Sequence, residues 1–346
     1  MARPGTHVSK VPVTAVAWAR FQPRTVALAS VLEGRARFVS GGITAKALAT
    51  RPLSYLVNSV RTWMLLSRDD PHTVVVITPP VFAPLAVWLW CMVRGRQLVV
   101  DCHTGAFHSG KWAWARPIHR VLLRRAKVVL LHTEDAEALV ATWGARALLL
   151  PDDVPDASDA EQIERQSGSY RRVLVAGSFD GNEPVAEAIA AAELLPDVEL
   201  RYTGDPELVP AELRAGASPN AVFTGYLPYR TFLGELQSAD VVACFSTDPQ
   251  IMNRAAFEAV GLGRPLVLSD LPGLRSRFGS AALFCANEPA AMARAVAAAI
   301  ESSSDLAARS MELREKLTAQ RDQAVSRLRE IIGEEVVPNW RRRIAS

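Results

Sequence analysis

Residues 247–270, TDPQIMNRAAFEAVGLGRPLVLSD, hold a largely apolar helix, a Gly-x-Gly-x-Pro turn and a short aliphatic strand in immediate succession. PLVLSD has little polar alternation, so it reads as buried on both faces, the mark of a parallel sheet covered by helices. One acid, Glu258, stands inside the helix. A carboxylate is rarely buried without a partner, so Glu258 either pairs with Arg254 four residues earlier or faces a ligand.

Working outward, the same alternation fills the chain. VTAVAWA (13–19), ARFVS (36–40), TVVVIT (73–78), QLVVD (97–101), KVVLLH (127–132) and ALLL (147–150) are strand-length runs separated by helical patterns. A polar stretch, PDDVPDASDAEQIERQSGSYRR, follows from Pro151 and reads as a linker. A second series comprises VLVAG (173–177), VELRYTG (198–204), AVFTG (221–225), VVACF (241–245), PLVLSD (265–270) and ALFC (282–285). The reading is α/β: two doubly wound, Rossmann-like domains, 1–152 and 172–324, joined by a linker at 153–171. The apolar spacing of the terminal helix, 325–346, predicts that it packs back on the first domain. Ligands in such sheets bind beyond the carboxyl ends of the strands, and the cleft between two such domains is the expected site.

The chain has 346 residues and a net charge of +3. Its arginines greatly outnumber its lysines, which suits phosphate or carboxylate recognition but is too weak a charge to predict a nucleic-acid partner. Cys91, Cys102, Cys244 and Cys285 lie in or beside apolar runs without C-x-x-C spacing, so they read as reduced core thiols of a cytoplasmic protein. No secretion signal and no membrane span are expected. A dinucleotide fold needs G-x-G-x-x-G after its first strand; the chain has RFQPR after the first run and GSFDGNEP after the seventh.

Four segments stand where strands end and helices begin. In Arg20-Phe21-Gln22-Pro23-Arg24, Pro23 suits a first helical position, and a helix N-terminus flanked by arginines suits a diphosphate; a solvated turn is the equal alternative. In VVDCHTGAFHSGKW, Asp101 and His103 are two apart and share one side of an extended strand end, which suits a base or hydrogen-bond donor held by a carboxylate; His108 is a weaker candidate. In VLVAGSFDGNEP, Gly177 and Ser178 allow close backbone approach to a phosphate. Around the opening helix, Thr247, Asp248, Gln250 and Asn253 precede Glu258, whose carboxylate can accept two hydrogen bonds from a ribose diol.

Together these segments resemble GT-B glycosyltransferases, above all the group around retaining family four. That resemblance implies two domains facing a central cleft and transfer of a hexose from a nucleotide-sugar donor. It rests on Glu258 followed by AVGLGRPLVLSD, and on SFDGNEP, TGYLPYRTFLGEL and SDLPGLRSRFG. The family carries two glutamates eight positions apart; here the first position is Gln250. The resemblance gives Glu258 the donor ribose, Gln250 the donor sugar, and Tyr226-Leu227 the nucleotide base. The expected phosphate-binding arginine and lysine are missing from SFDGNEP, so Arg24 and Arg254 stand in as phosphate ligands. ARFQPR and VVDCHTGAF are more distantly similar to the dolichol-pathway enzyme that makes the first mannose linkage, an inverting enzyme.

Charge developing on the leaving phosphate can be met by helix N-termini and guanidinium groups, and no His/Asp/Glu set has a convincing ligand spacing. Neither metal nor cofactor is therefore expected; the nucleotide-sugar is a substrate. An inverting enzyme would use His103 or Asp101 as base. A retaining one, the favoured outcome, would use the leaving phosphate itself, with His103 positioning donor or acceptor. Aromatic and basic residues interleave in KWAWARPIHRVLLRRAK (111–127) and NWRRR (339–343). With the apolar 81–93 segment they suit a peripheral position on the inner face of a membrane and a lipid-linked or surface-glycan acceptor, an ordinary solvated basic helix being the plainer alternative. Two other functions remain open: a GT-B protein that binds a sugar nucleotide or a partner transferase without catalysis, and a GT-B sugar-nucleotide epimerase.

Overall fold

The computed structural model describes residues 13–40, 51–103, 105–108, 110–164, 170–249 and 251–333. The chain divides into two compact units, 1–151 with 320–346, and 152–319. Each of the twelve runs forms a strand, and every strand pair is parallel.

In the first unit the elements run β1 (Val13–Ala17), α1 (Pro23–Val31), β2 (Arg35–Phe38), α2 (Arg51–Asp69), β3 (Thr73–Thr78), α3 (Phe82–Arg94) and β4 (Gln97–Cys102). They continue with α4 (Gly105–His108), a 3-10 turn (Gly110–Ala115), α5 (Arg116–Arg125), β5 (Val128–Leu131), α6 (Glu134–Thr142) and β6 (Ala147–Leu149). The sheet order is β2-β1-β3-β4-β5-β6. Alternate strand residues serve opposite cores: Val74, Val76, Leu98 and Val100 pack with Leu66, Val87, Trp90 and Leu123 from α2, α3 and α5. Val13, Ala15, Val75 and Val99 meet Leu28 of α1 on the other face, together with Val325, Leu328 and Ile331 from the end of the chain.

The second unit runs β7 (Arg171–Val175), α7 (Val185–Ala191), β8 (Val198–Thr203), α8 (Ala211–Ala215), β9 (Ala221–Gly225), α9 (Tyr229–Ser238), β10 (Val241–Cys244) and α10 (Arg254–Gly261). Then come β11 (Leu266–Ser269), α11 (Pro272–Phe278), β12 (Ala282–Cys285), α12 (Pro289–Glu301) and α13 (Ser303–Gly333), the last running on into residues of the first unit. The order β12-β11-β10-β7-β8-β9 reverses between β7 and β10, which is where a doubly wound sheet opens a crevice for ligands.

The Gly-x-Gly-x-Pro turn has a packing reason. A Cβ on Gly261 would lie 2.7–2.9 Å from the ring and backbone of Pro155, and Gly263 takes φ +65° as α10 ends. All four cysteines are buried free thiols; burial pushes Cys91 up to about 12 and Cys285 up to about 11. Among the described residues no helix is long and apolar enough to cross a membrane.

His119 of α5 is buried, with Nε2 2.8 Å from the Thr78 hydroxyl. Burial depresses its pKa from 6.5 to about 4. Above the unfolded value the ring is neutral in both states. As pH falls below it the unfolded chain takes up a proton that the folded chain refuses, so stability is lost on the acid side. We expect a loss of roughly 3 kcal/mol between those two values, read from urea midpoints across that range; a His119→Gln variant should show a shallower slope.

Candidate functional site

In the first unit, α1 begins at Pro23 as its sequence predicts, with Gln22 as N-cap accepting from the Thr25 amide. Arg24 then turns inward rather than outward. It is fully buried, and its Nε donates to both Asp101 oxygens at 3.1 and 2.9 Å. Its Nη1 and Nη2 donate to the carbonyls of Pro151 and Leu150 at 3.2 and 2.9 Å. The expectation that Arg24 binds a donor phosphate is therefore corrected: its guanidinium closes a core ion pair across the ends of α1, β4 and β6.

Asp101 is corrected with it. It is 1% exposed and both of its oxygens already accept from Arg24, so neither is presented to an acceptor hydroxyl. Burial pushes its pKa up, but Arg24, His132 and His103 together outweigh this and hold it below the ordinary carboxylate value. A carboxylate so held is a poor proton acceptor.

His103, just past β4, is half-buried, and its backbone amide donates to the Thr78 carbonyl at 3.0 Å. The Gln22 amide meets its Nε2 at 3.2 Å, and its ring stacks on His132 at 4.6 Å. His132 Nε2 lies 3.9 Å from Asp101 Oδ1. Asp101, His103 and His132 thus offer ligand atoms within 4.8 Å of one another, a cluster that sequence spacing concealed. The signal that could have revealed it was the position of His132 at the end of KVVLLH, the strand that pairs with QLVVD. Arg24 already neutralises Asp101 from within, so a dication there would face a fixed guanidinium; the set is better suited to orienting His103 than to holding a metal. The His108 side chain lies outside the described residues.

In the second unit a hollow of about 310 Å³ opens at the β7/β10 switch point, and its lining includes Gly177, Ser178, Asn253, Arg254, Phe245 and Ser246. It brings together four residues assigned to a donor from the sequence. Asn253 precedes α10, and its Oδ1 is buried without a hydrogen-bond partner, the kind of polar atom that a ligand satisfies.

The turn after β7 is already engaged by its own chain. The Ser178 amide donates to Glu183 Oε1 and Oε2 at 3.0 and 3.1 Å, and the Phe179 amide to Oε2 at 2.9 Å. The Ser178 hydroxyl donates to Asp180 at 2.8 Å. Amides that suit an anion hold a carboxylate.

Glu258 does not line the hollow. It sits one turn beyond Arg254, 3% exposed, and accepts from Arg254 Nε at 2.9 Å and from the Tyr229 hydroxyl at 3.0 Å, both through Oε1. The i,i+4 pairing read from the sequence is thus formed. Burial raises the Glu258 pKa, partly offset by Arg254; burial and the Glu258 charge also raise that of Tyr229, which stays a donor. Arg254 further faces Asp152 and Asp153, each at 3.6 Å. Tyr226 is 85% exposed and Leu227 half-buried in the loop after β9, and neither lines the hollow. Gln250 lies outside the described residues.

With this geometry in place, comparison with known proteins identifies the fold. Residues 170–302, which include β7, the switch-point hollow and α10, match a family model described as Glycosyl transferases group 1. The chain is similar over 92% of its length to 98% of a sucrose-phosphate synthase from Thermosynechococcus elongatus, at 14% identity and TM-score 0.70. It is similar over 94% of its length to all of Anabaena HepE, solved in complex with UDP and glucose, at 14% identity and TM-score 0.67. The N-terminal domain of Candida albicans trehalose-6-phosphate phosphatase aligns over 97% of this chain and 99% of its own, at 10% identity and TM-score 0.68. The fold is GT-B. At these identities the likeness extends to the fold and no further, and no curated protein matches the chain.

Proposed function

We propose that the protein is a glycosyltransferase that moves a hexose from a nucleoside-diphosphate sugar to a carbohydrate or lipid-linked acceptor, such as a surface-glycan precursor. The observation that carries this is the switch-point hollow, with Gly177, Ser178, Asn253 and Arg254 around it and the buried Asn253 Oδ1 awaiting a partner, inside the segment that matches the glycosyltransferase family. Asn253 and Arg254 take the diphosphate and sugar, Glu258 grips the ribose through Oε2, and Tyr226-Leu227 lie against the base. Leaving-group charge is met by the Arg254 guanidinium without a metal. Burial of Asp101 leaves His103 as the one candidate base of the two. Retention of configuration, as in the family-four enzymes that the chain resembles, is the favoured outcome; the distant likeness to the first mannosyltransferase makes inversion the alternative.

One observation favours a second reading, sugar-nucleotide binding without catalysis. The Glu183 carboxylate occupies the amides of Ser178 and Phe179 and puts negative charge where a diphosphate would approach. A panel of UDP-, GDP- and dTDP-sugars decides between them. At donor about 100 times Kd, one nucleotide family should stabilise the protein by about 2.7 kcal/mol in a thermal shift and release nucleoside diphosphate when acceptor is supplied. A shift without release supports the second reading; no shift with any donor rejects both.

A further inference from the structure

The charge of the chain is unevenly distributed. Residues 34–133 carry fourteen Lys or Arg against three acids, a net +11, while the whole chain carries +3 and the remainder therefore −8. Each of the three acids is in an ion pair: Asp69 with Arg37 at 2.7 Å, Asp70 with Arg96 at 2.8 Å, and Asp101 with Arg24 at 2.9 Å.

The same segment carries more than half of the exposed large apolar side chains among the described residues, all on α2, α3, the 3-10 turn and α5. On α2, Leu53, Leu56, Val60 and Met64 recur at i, i+3, i+7 and i+11, opposite the buried Asn58, Thr62 and Leu66. Such spacing belongs to a helix that buries an apolar face, yet here the four outer side chains are 52–68% exposed. Met92 and Val93 of α3 are 59% and 67% exposed, and Trp114 and Val121 beside and on α5 are 58% and 51%.

These stripes form one surface because the three helices cover one face of the first sheet and touch each other. Trp63 Nε1 donates to the Ala86 carbonyl at 2.8 Å, and Trp90 Nε1 to Ser67 Oγ at 3.1 Å. Tyr55 stacks on Phe82 at 4.6 Å, and Phe82 meets Trp114 at 6.0 Å. Arg68, Arg94, Arg120, Arg124 and Arg125 are exposed on the same helices. Large aliphatic side chains, an aromatic edge and flanking arginines on these three helices match the chemistry of an anionic bilayer surface: acyl chains for the first, the interfacial zone for the second, lipid phosphates for the third. The neighbouring α6, which covers the same sheet face, brings the acids Glu134, Asp135 and Glu137 and lies outside the proposed patch.

We propose that the outer face of α2, α3 and α5 docks the protein on an anionic lipid bilayer. Charge complementarity selects this occupant: the exposed Arg68, Arg94, Arg120, Arg124 and Arg125, on a segment whose own three acids are ion-paired, suit a dense negative plane. The 339–343 segment lies outside the described residues and is not needed. The inference does not depend on the donor reading, since a chain that ignores every sugar nucleotide can still bind lipid.

The full chain should be sedimented with vesicles of phosphatidylcholine alone and with vesicles of equimolar phosphatidylcholine and phosphatidylglycerol. Binding is expected with the mixed vesicles, at least tenfold weaker with the neutral ones and weakened by salt. The double variant Val60→Glu/Met64→Glu should lose at least tenfold on the mixed vesicles, while Leu208→Glu, an equally exposed site in the second unit, should bind like wild type; melting curves establish that both are folded. Wild type remaining in the supernatant with mixed vesicles, or a double variant that binds as well as wild type, overturns the proposal. So does a wild-type dimer in solution that the double variant dissociates, because the face would then belong to a second copy of the chain.

Discussion

Replacing Arg24 by Met is expected to cost about 3–5 kcal/mol of stability, the range for breaking one side of a buried ion pair. The variant keeps most of the side-chain volume but leaves Asp101 charged at 1% exposure and removes the donors on the Leu150 and Pro151 carbonyls. Arg321 also donates to Pro151, at 2.9 Å, so that carbonyl is not orphaned, and the cost falls chiefly on Asp101. Urea unfolding followed by tryptophan fluorescence checks the loss as a fall in midpoint. The double variant Arg24→Met/Asp101→Leu should recover part of it, because two apolar groups replace two charges. If Arg24→Met instead leaves stability intact and weakens nucleotide binding, the phosphate role first read from RFQPR returns.

The second large effect is expected at Glu258. On the proposed reading, Glu258→Ala weakens donor binding about 100-fold, equivalent to about 2.7 kcal/mol, because charge-assisted hydrogen bonds to a ribose diol are lost. The same variant frees Tyr229 and leaves Arg254 to Asp152 and Asp153. Tyr229→Phe separates the two consequences: it removes a donor to Oε1 and spares the carboxylate. Calorimetric titration should give near wild-type donor affinity for Tyr229→Phe and the full loss for Glu258→Ala. Equal losses in both would make the carboxylate a structural partner of the helix rather than a ligand group.

How legible these features were depended on how local they are. The central strands could be read because a strand buried on both faces must be apolar throughout, and that constraint shows within half a dozen residues, as in TVVVIT at Thr73–Thr78; β2 and β8, with Arg37, Glu199 and Arg201 in them, show it less cleanly. The Arg254 to Glu258 pair was legible for the same reason, four residues on one helix. The inward turn of Arg24 was not. Its partner is 77 residues away, and an arginine at a helix start looks the same in sequence whether it meets a phosphate or an aspartate. His132 joins His103 only through the pairing of β4 with β5. Glu183 was overlooked for a different reason: the turn was read for the anion it could bind, while the chain supplies one of its own.

The packing of Gly261 against Pro155, and of Arg254 toward Asp152 and Asp153, bears on how this half of the molecule can be cut. The family match begins at residue 170, and a fragment begun there would contain every strand of the second sheet. It would nevertheless lack three of the residues against which α10 is seated. Of its three carboxylates Arg254 would keep only Glu258, and the space beside Gly261 would open to solvent. The second compact unit begins at Asp152, and the stretch that reads as a linker by composition is the first element of the fold that it introduces.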